Sequence, residues 1–306
     1  MIKDLKERDD ASGTYLVKEA TKIDRGTDPY MNIILQDGSG IIDAKKWHAT
    51  DEDLTIFESG NLVEITGELL LYKSKKQIRI DSCKISESRE ALEEFLVPSP
   101  VPVEELITKF RSYVKSITTP ELKTILNEIF KKYYNQFIDY PAAVRNHHEF
   151  YHGLLYHTVF MCDVAEQLSK IYKSVNRDLL ISGCILHDLG KIFELSGPLA
   201  TKYTIEGNLL GHLSMGMSLI KEIAHENNIQ GDYPIILEHM VLSHHGKYEY
   251  GSCVLPMTRE ALLLSMIDDL DSKMIILDKA YQDVKEGEFT DRIFSLDNRL
   301  FYKGKY

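Results

Sequence analysis

The string Ile185-Leu186-His187-Asp188-Leu189-Gly190-Lys191 places an imidazole and a carboxylate side by side in apolar surroundings. Burying such groups without partners is costly, and a bound divalent metal ion is the usual compensation. Further donors sit beside small or apolar neighbours: His157 in Gly153-Leu154-Leu155-Tyr156-His157-Thr158, His212 after Gly211, His244-His245 in Leu242-Ser243-His244-His245-Gly246, and Asp268 in Met266-Ile267-Asp268-Asp269-Leu270-Asp271. Ten of the 11 histidines fall between His147 and His245. Mixed imidazole and carboxylate donors suit Mn²⁺, Fe or Zn²⁺ better than Ca²⁺ or a bare Mg²⁺ site. The candidate ligands His157, His187, Asp188, His212, His244, His245 and Asp268 exceed the needs of one tetrahedral ion. Two ions bridged by Asp188 account for the number better, and metal-dependent hydrolysis becomes the first reading.

Blander readings stand beside these. His157 and His212 can be satisfied core histidines, and one of His244 and His245 can face solvent or substrate. His152, at i, i+5 from His157, does not share its helix face; it either backs a ligand or faces substrate. His147, His148, His225 and His239 read as surface or capping residues. Asp271 reads as structural, pairing with Lys273 or with a ligand's ring nitrogen. Lys191 stands i, i+4 from His187, so the two can share a helix face.

The bulk numbers restrict the class. A chain of 306 residues with 43% hydrophobic and 27% charged residues suggests about two globular domains. No apolar run approaches the roughly 18 residues of a membrane span, and the first residues lack a signal-peptide core; we expect a cytoplasmic protein without a membrane partner. Cys83, Cys162, Cys184 and Cys253 form no CxxC pair and read as structural thiols. A net charge of −11 argues against a protein that coats nucleic acid generally. It leaves a nuclease open, because bound metals reverse the sign of an acidic site.

The elements that must position these residues have two grammars. Thr14–Ala20, Met31–Gln36, Ile41–Trp47, Leu62–Tyr72 and Gln77–Ile80 read as strands, with a turn at Asp37-Gly38-Ser39-Gly40, a short helix within Asp51–Ser59 and a hairpin tip at Lys73-Ser74-Lys75-Lys76. Five short strands with one helix after the third match the OB-fold barrel. The order of these elements resembles OB domains that bind single strands through stacked aromatics and basic loops. Tyr30, Trp47, Tyr72, Lys73, Lys75, Lys76 and Arg79 are the candidates here, although barrel packing and a soluble hairpin tip explain any one of them as well. Three prolines in Val97-Pro98-Ser99-Pro100-Val101-Pro102-Val103 exclude helix and mark a stiff linker. Apolar residues at helical spacing follow. Helices are expected over His152–Tyr172, Arg177–Leu189, His212–Glu226, Tyr233–Ser243 and Thr258–Tyr281; the aromatic C-terminal stretch (Phe289, Phe294, Phe301, Tyr302) can close over the site or pack the last helix, and packing is the better reading. The expected fold class is therefore multidomain: an all-β OB barrel over residues 1–95, a linker over 96–104 and an all-α bundle over 105–306.

The ordered pattern H…HD…H…HH…D on helices resembles the HD-domain metal-dependent phosphohydrolases, and its HH step resembles their two-metal branches. Joined to an OB domain through a Pro-rich hinge, it is similar to the YhaM-type 3′→5′ exoribonucleases. The strings HGLLYHT, HDLGK, GHLSMG, LSHHGKYEYGS and DDLDSKM carry the likeness, which spans essentially the whole chain. The resemblance implies a first metal held by His157, His187, Asp188 and Asp268, and a second held by Asp188, His212, His244 and His245. Mn²⁺ comes first, with Fe, Zn²⁺, Co or Mg²⁺ as alternatives. Asp188 and Lys191 would be the catalytic residues, Lys191 contacting phosphate or the attacking hydroxide. Ser265 stands where many relatives carry a histidine; we expect it to back the ligands. The implied reaction is attack by a metal-bridging hydroxide on the terminal phosphate of single-stranded RNA, with single-stranded DNA a second candidate, releasing nucleoside 5′-monophosphates while the OB domain holds the upstream strand. His152 would then face substrate. Rival readings are a phosphohydrolase of small nucleotides (a dNTPase or cyclic-dinucleotide phosphodiesterase) and a catalytically inactive nucleic-acid-binding adaptor. A homo-oligomer is compatible with the sequence, which specifies no symmetry.

Overall fold

The computed structural model describes residues 1–24, 28–72, 75–87, 92–144, 150–282 and 284–305. Lys73, His147 and His148 lie outside the described residues. Two compact units emerge: Met1–Pro100 with Ser196–Lys202, and Val101–Leu195 with Tyr203–Tyr306.

The first unit is built on five strands: β1 (Gly13–Ile23), β2 (Tyr30–Asp37), β3 (Gly40–Trp47), β4 (Leu62–Tyr72) and β5 (Lys75–Ile85). They close a barrel in the order β1-β2-β3-β5-β4, with β3 and β5 parallel and the other pairs antiparallel. Helix α1 (Asp51–Ile56) follows β3, as the OB pattern requires. Alternation does the folding work. Met31, Ile33 and Leu35 point into the barrel with Ile42 and Ala44, while Asn32, Asp43 and Trp47 are exposed. Between β2 and β3, Asp37 Oδ1 accepts from the Ser39 amide at 2.7 Å and so holds the turn. Strand β5 extends beyond the expected Gln77–Ile80 to Lys75–Ile85, so Lys75 and Lys76, expected at the hairpin tip, are strand residues.

The second unit is helical: α2 (Val103–Ser116), α3 (Pro120–Asp139), α4 (Gly153–Ile171), α5 (Arg177–Leu186), α6 (Lys191–Glu194), α7 (Ile205–Glu226), α8 (Asp232–Ser243) and α9 (Arg259–Gln282). Val103, expected in the linker, is the first residue of α2. Pro102 just before it sacrifices no bond, since first-turn amides lack intrahelical acceptors. Every residue of α5 from Leu179 to Leu186 is buried; a helix that is apolar all round belongs in a core. Its Leu180, Ile181, Cys184 and Ile185 join one cluster with Leu154, Val159, Leu237, Met240, Leu264 and Ile267 from α4, α8 and α9. Each such aliphatic burial contributes about 1.5–3 kcal/mol. The C-terminal end of α5 is thereby delivered to the interior, and His187 is its C-terminal cap. After α9, Tyr281 Oη donates to the Tyr302 carbonyl and Lys303 Nζ to the carbonyls of Tyr281 and Val284. The C-terminal stretch thus fastens to the end of the last helix, although Phe294 is 91% exposed. Among the described residues no helix is long and apolar enough to cross a membrane.

Candidate metal centre

Four imidazoles from four elements converge because a partner behind each ring fixes its direction. His187 Nδ1 donates to the Cys184 carbonyl and His244 Nδ1 to the Val241 carbonyl, each at 2.8 Å. His157 Nδ1 meets Asp271 Oδ2 at 2.6 Å, and His212 Nδ1 meets Glu194 Oε1 at 3.0 Å. A ring that donates from Nδ1 turns the lone pair of Nε2 the other way. Outer partners of this kind are what orient metal-binding histidines.

The Nε2 atoms crowd one another. His157 Nε2 and His187 Nε2 are 3.1 Å apart, and Asp268 Oδ1 lies 3.2 Å from the former. Two ring nitrogens and a carboxylate at that distance need a proton or a metal cation between them. Asp188 stands between two groups of rings. Its Oδ2 is 3.3 Å from His187 Nε2 and 3.8 Å from His157 Nε2, whereas its Oδ1 is 3.5 Å from His212 Nε2 and 3.6 Å from His244 Nε2. Lys191 Nζ holds Oδ2 at 2.6 Å. Asp188 Oδ1, His212 Nε2, His244 Nε2 and His245 Nδ1 are buried without a hydrogen-bond partner among the described residues. Native cores rarely tolerate orphaned polar atoms, and these four, gathered at one point, are the donors that a bound cation would satisfy. The sets His157/His187/Asp268, His187/Asp188/His244 and His212/His244/His245 each bring their donor atoms within 4.8 Å of one another. All seven candidates share one site, and the donor set fits divalent metal.

The electrostatics agree. Burial works against a charged His157, but hydrogen bonds to Asp268 and Asp271 outweigh it and push the ring to about 10. Burial and the neighbouring His187 push His244 well below its ordinary value. Asp188 is held well below the usual carboxylate range: burial opposes this, and Lys191 and His187 overcome it. The cluster calls for positive charge at its centre.

Some placements differ from expectation. The helix carrying the HD pair stops at Leu186, not Leu189, and the chain turns before α6. Lys191 consequently meets Asp188 (i, i+3) rather than stacking one helical turn beyond His187. Gly190, in that turn, lets α7 approach closely: an added Cβ would collide with the His212 carbonyl oxygen. The helix expected from His212 starts at Ile205 and is kinked at Gly211, whose φ of 70° suits glycine. That kink brings both the amide and the ring of His212 onto Glu194 Oε1. Glu194 was not anticipated. Its signal is the one that exposed His187-Asp188: a lone carboxylate in the apolar run Ile192-Phe193-Glu194-Leu195. The hydrogen bond and charge of His212 overcome burial and lower its pKa. Asp271 pairs with the His157 ring, while Lys273 goes to Asp269 at 2.6 Å. Ser265 lines the cavity with its hydroxyl on the Leu262 carbonyl. His152 is outside this cluster; its Nδ1 donates to the Ile138 carbonyl at 2.7 Å. His239 Nε2 accepts from the Met257 amide.

The barrel candidates do not form one group. Tyr30 and Trp47 pair across β2 and β3 with ring centroids 5.2 Å apart. Lys45 Nζ, which sequence reasoning missed, stands 4.4 Å from the Tyr30 ring centre and 4.7 Å from that of Trp47. The alternation that exposes Trp47 on β3 puts Lys45 on the same face. Tyr72 and Lys75 are exposed cross-strand partners. Lys76 Nζ donates to the Leu5 carbonyl, and Arg79 is bound to Glu68 and Asp81 at 3.2 Å each.

Comparison with known proteins follows the two units. Residues 154–273 match the HD domain. Residues 16–86 match the OB-fold nucleic acid binding domain. The chain therefore joins the domain of metal-dependent phosphohydrolases to an OB-fold nucleic-acid-binding domain. Among solved structures, the second OB-fold domain of replication protein A from Methanococcus maripaludis aligns at 19% identity over 30% of this chain and 97% of that domain, with a TM-score of 0.24.

Proposed function

We propose that the protein is a metal-dependent 3′→5′ exonuclease that shortens single-stranded RNA, and single-stranded DNA secondarily, to nucleoside 5′-monophosphates. The observation that carries a polymer substrate is the size of the metal-centre cavity, about 180 Å³. Sites that enclose a drug-sized ligand occupy roughly 300–1,000 Å³. This one has room for a phosphate group, and the rest of the substrate must lie outside it, as the end of a strand does. An attached nucleic-acid-binding barrel suits such a substrate. The direction of attack and the preference for RNA rest on the likeness of HDLGK and its companion strings to the YhaM-type enzymes.

His157, His187, Asp188 and Asp268 would hold one divalent ion, and Asp188, His212, His244 and His245 a second, with Mn²⁺ the first choice. Two such ions supply, when bound, a nucleophile usable near neutrality and charge relief on the phosphate. The ring partners Asp271, Glu194, Cys184 and Val241 hold each ring in place with Nε2 aimed into the centre. Lys191, anchored by Asp188, presents its ammonium to the phosphate oxygens and offsets the charge that builds during attack. Water provides the incoming oxygen to phosphorus and, in net, a proton to the 3′ oxygen of the penultimate nucleotide as the bond between phosphorus and that oxygen breaks and the monophosphate leaves. In the barrel, exposed Trp47 with Lys45 beside it provides a ring and a cation for upstream nucleotides, while Tyr30, expected as a second stacking ring, is buried and backs Trp47 instead.

The test is incubation with Mn²⁺ and a 5′-labelled single-stranded RNA, beside a dNTP and a cyclic dinucleotide. A ladder shortening from the 3′ end is expected. Hydrolysis of the small substrates alone would replace the nuclease reading with a small-nucleotide phosphohydrolase, and no hydrolysis with bound metal would leave an inactive adaptor.

A further inference from the structure

The string LSHHGKYEYGS contributes His244 and His245 to the metal centre and leaves its second half without a task. The structure gives that half a definite shape. Gly246 (φ 76°) turns the chain out of α8, and its amide donates to the Ser243 carbonyl at 2.9 Å. Tyr248–Tyr250 make one tight helical turn, and Gly251 (φ 92°) reverses the chain. The amides of Tyr250 and Ser252 both donate to the Lys247 carbonyl, and the Cys253 amide returns to the Leu242 carbonyl on α8 at 3.1 Å. The loop is closed on itself by backbone bonds, and it aims one side chain at the metal centre. Histidines aside, Tyr250 is the only aromatic ring among the described residues lining that cavity. Tyr250 is 51% exposed. Lys247 Nζ lies 5.1 Å from its centre, which adds positive charge to a rim that also carries Asp268 and Asp269.

We propose that Tyr250 is the stacking platform for the base of the terminal nucleotide. In the nuclease reading a cavity of about 180 Å³, open at its mouth, takes the scissile phosphate and leaves the attached base at the rim, where half-exposed Tyr250 is available. The proposal rests on the nuclease reading and adds the subsite that grips the outgoing nucleotide. Stacking is tolerant of base identity because every base has a π-face; the subsite demands a base without selecting one.

The full-length protein is given two RNAs that differ only at the 3′ end, one with an ordinary terminal nucleotide and one with an abasic residue. Wild type should favour the ordinary end in kcat/KM by roughly 5- to 150-fold, the range that stacking contributes per base. Tyr250→Phe should keep that preference, and Tyr250→Ala should lose it and treat both ends alike. A second readout needs no turnover: 2-aminopurine at the 3′ end should be quenched on binding to metal-free wild type and not to Tyr250→Ala, with circular dichroism melting confirming that the variant is folded. Equal rates on both ends in wild type, or an undiminished preference in Tyr250→Ala, would overturn the subsite and leave the nuclease standing. Failure to shorten either RNA, with quenching intact and lost only in Tyr250→Ala, would remove the nuclease reading and leave a nucleotide-binding ring.

Discussion

In the barrel, the buried amide of Gln36 donates to the Phe95 carbonyl at 2.9 Å, and buried Asp53 closes a capping box with Thr50 at the start of α1. In the helical unit, Asp188 Oδ1, His212 Nε2, His244 Nε2 and His245 Nδ1 are buried and unmatched. Both units obey the rule that apolar residues fill the interior; among the described residues, only the second breaks the companion rule that buried polar atoms be paired. The difference separates a scaffold from a reactive centre. Polar groups in the barrel serve the fold, whereas those of the centre are kept unsatisfied by the fold, at its expense, for something that arrives later.

The contrast is broken most severely at Asp188. Asp188→Ala or Asp188→Asn should remove bound metal, read by elemental analysis, and lower turnover by roughly 10²–10³-fold or more, with nucleic acid still retained by the barrel. Wild-type metal content in both variants would mean that the orphaned atoms have another purpose. The asparagine variant guards against misfolding, since alanine strands Lys191 beside a cavity.

A smaller effect should come from Glu194, which touches no proposed ion. Glu194→Ala frees the His212 ring and should weaken Mn²⁺ binding by roughly 10–100-fold, as isothermal titration calorimetry would report. Unchanged affinity would show that the Gly211 kink alone aims His212.

Within the helical unit the two kinds of polar group can be compared directly. Asp178 Oδ2 accepts from the amides and hydroxyls of Thr118 and Thr119 at 2.7–3.1 Å, tying the turn before α3 to the first turn of α5. Burial would raise its pKa, and these bonds lower it instead. A depressed folded value means that the contribution is complete above the ordinary aspartate pKa of about 3.9 and fades as pH falls through the folded value. Asp178→Ala should destabilise by about 1–3 kcal/mol at neutral pH without altering metal content. Its melting temperature should approach that of wild type in strong acid; a constant gap would refute the titration.

The smallest effects belong to the barrel surface. Trp47→Ala should weaken single-strand binding by about 1–3 kcal/mol, the worth of one stacked base. Arg79→Ala should change it by less than about 0.5 kcal/mol, because Glu68 and Asp81 already occupy the guanidinium. Filter-binding titrations that ranked Arg79 above Trp47 would reverse this assignment.

Much of the fold could be read directly from the residues. Period-2 alternation in Met31–Leu35 and Ile41–Trp47, with the turn residues between them, marks β2 and β3 and the barrel that closes around them. Helical spacing marks α4, α5, α8 and α9, with ends displaced by only a few residues. The seven metal-binding candidates were legible because each is an expensive polar residue in an apolar string, and that expense is local. Roles that depend on distant partners were not. Glu194 acquires its place only when Gly211 turns His212 onto it. Arg79 looks like any basic strand residue until Glu68 arrives opposite it on β4. Tyr250 gains its position at the cavity mouth from a loop that two positive-φ glycines fold back toward the centre.

Composition and periodicity, then, determined that there would be a barrel, a helical unit and a set of metal-seeking side chains, since these follow from local propensity and from which residues leave water. Tertiary structure decided which nitrogen of each histidine faces inward, that Asp188 presents one oxygen to each group of rings, and how little room remains between them. Those features depend on atoms far apart in the chain meeting within 3–4 Å, a distance that no local pattern records.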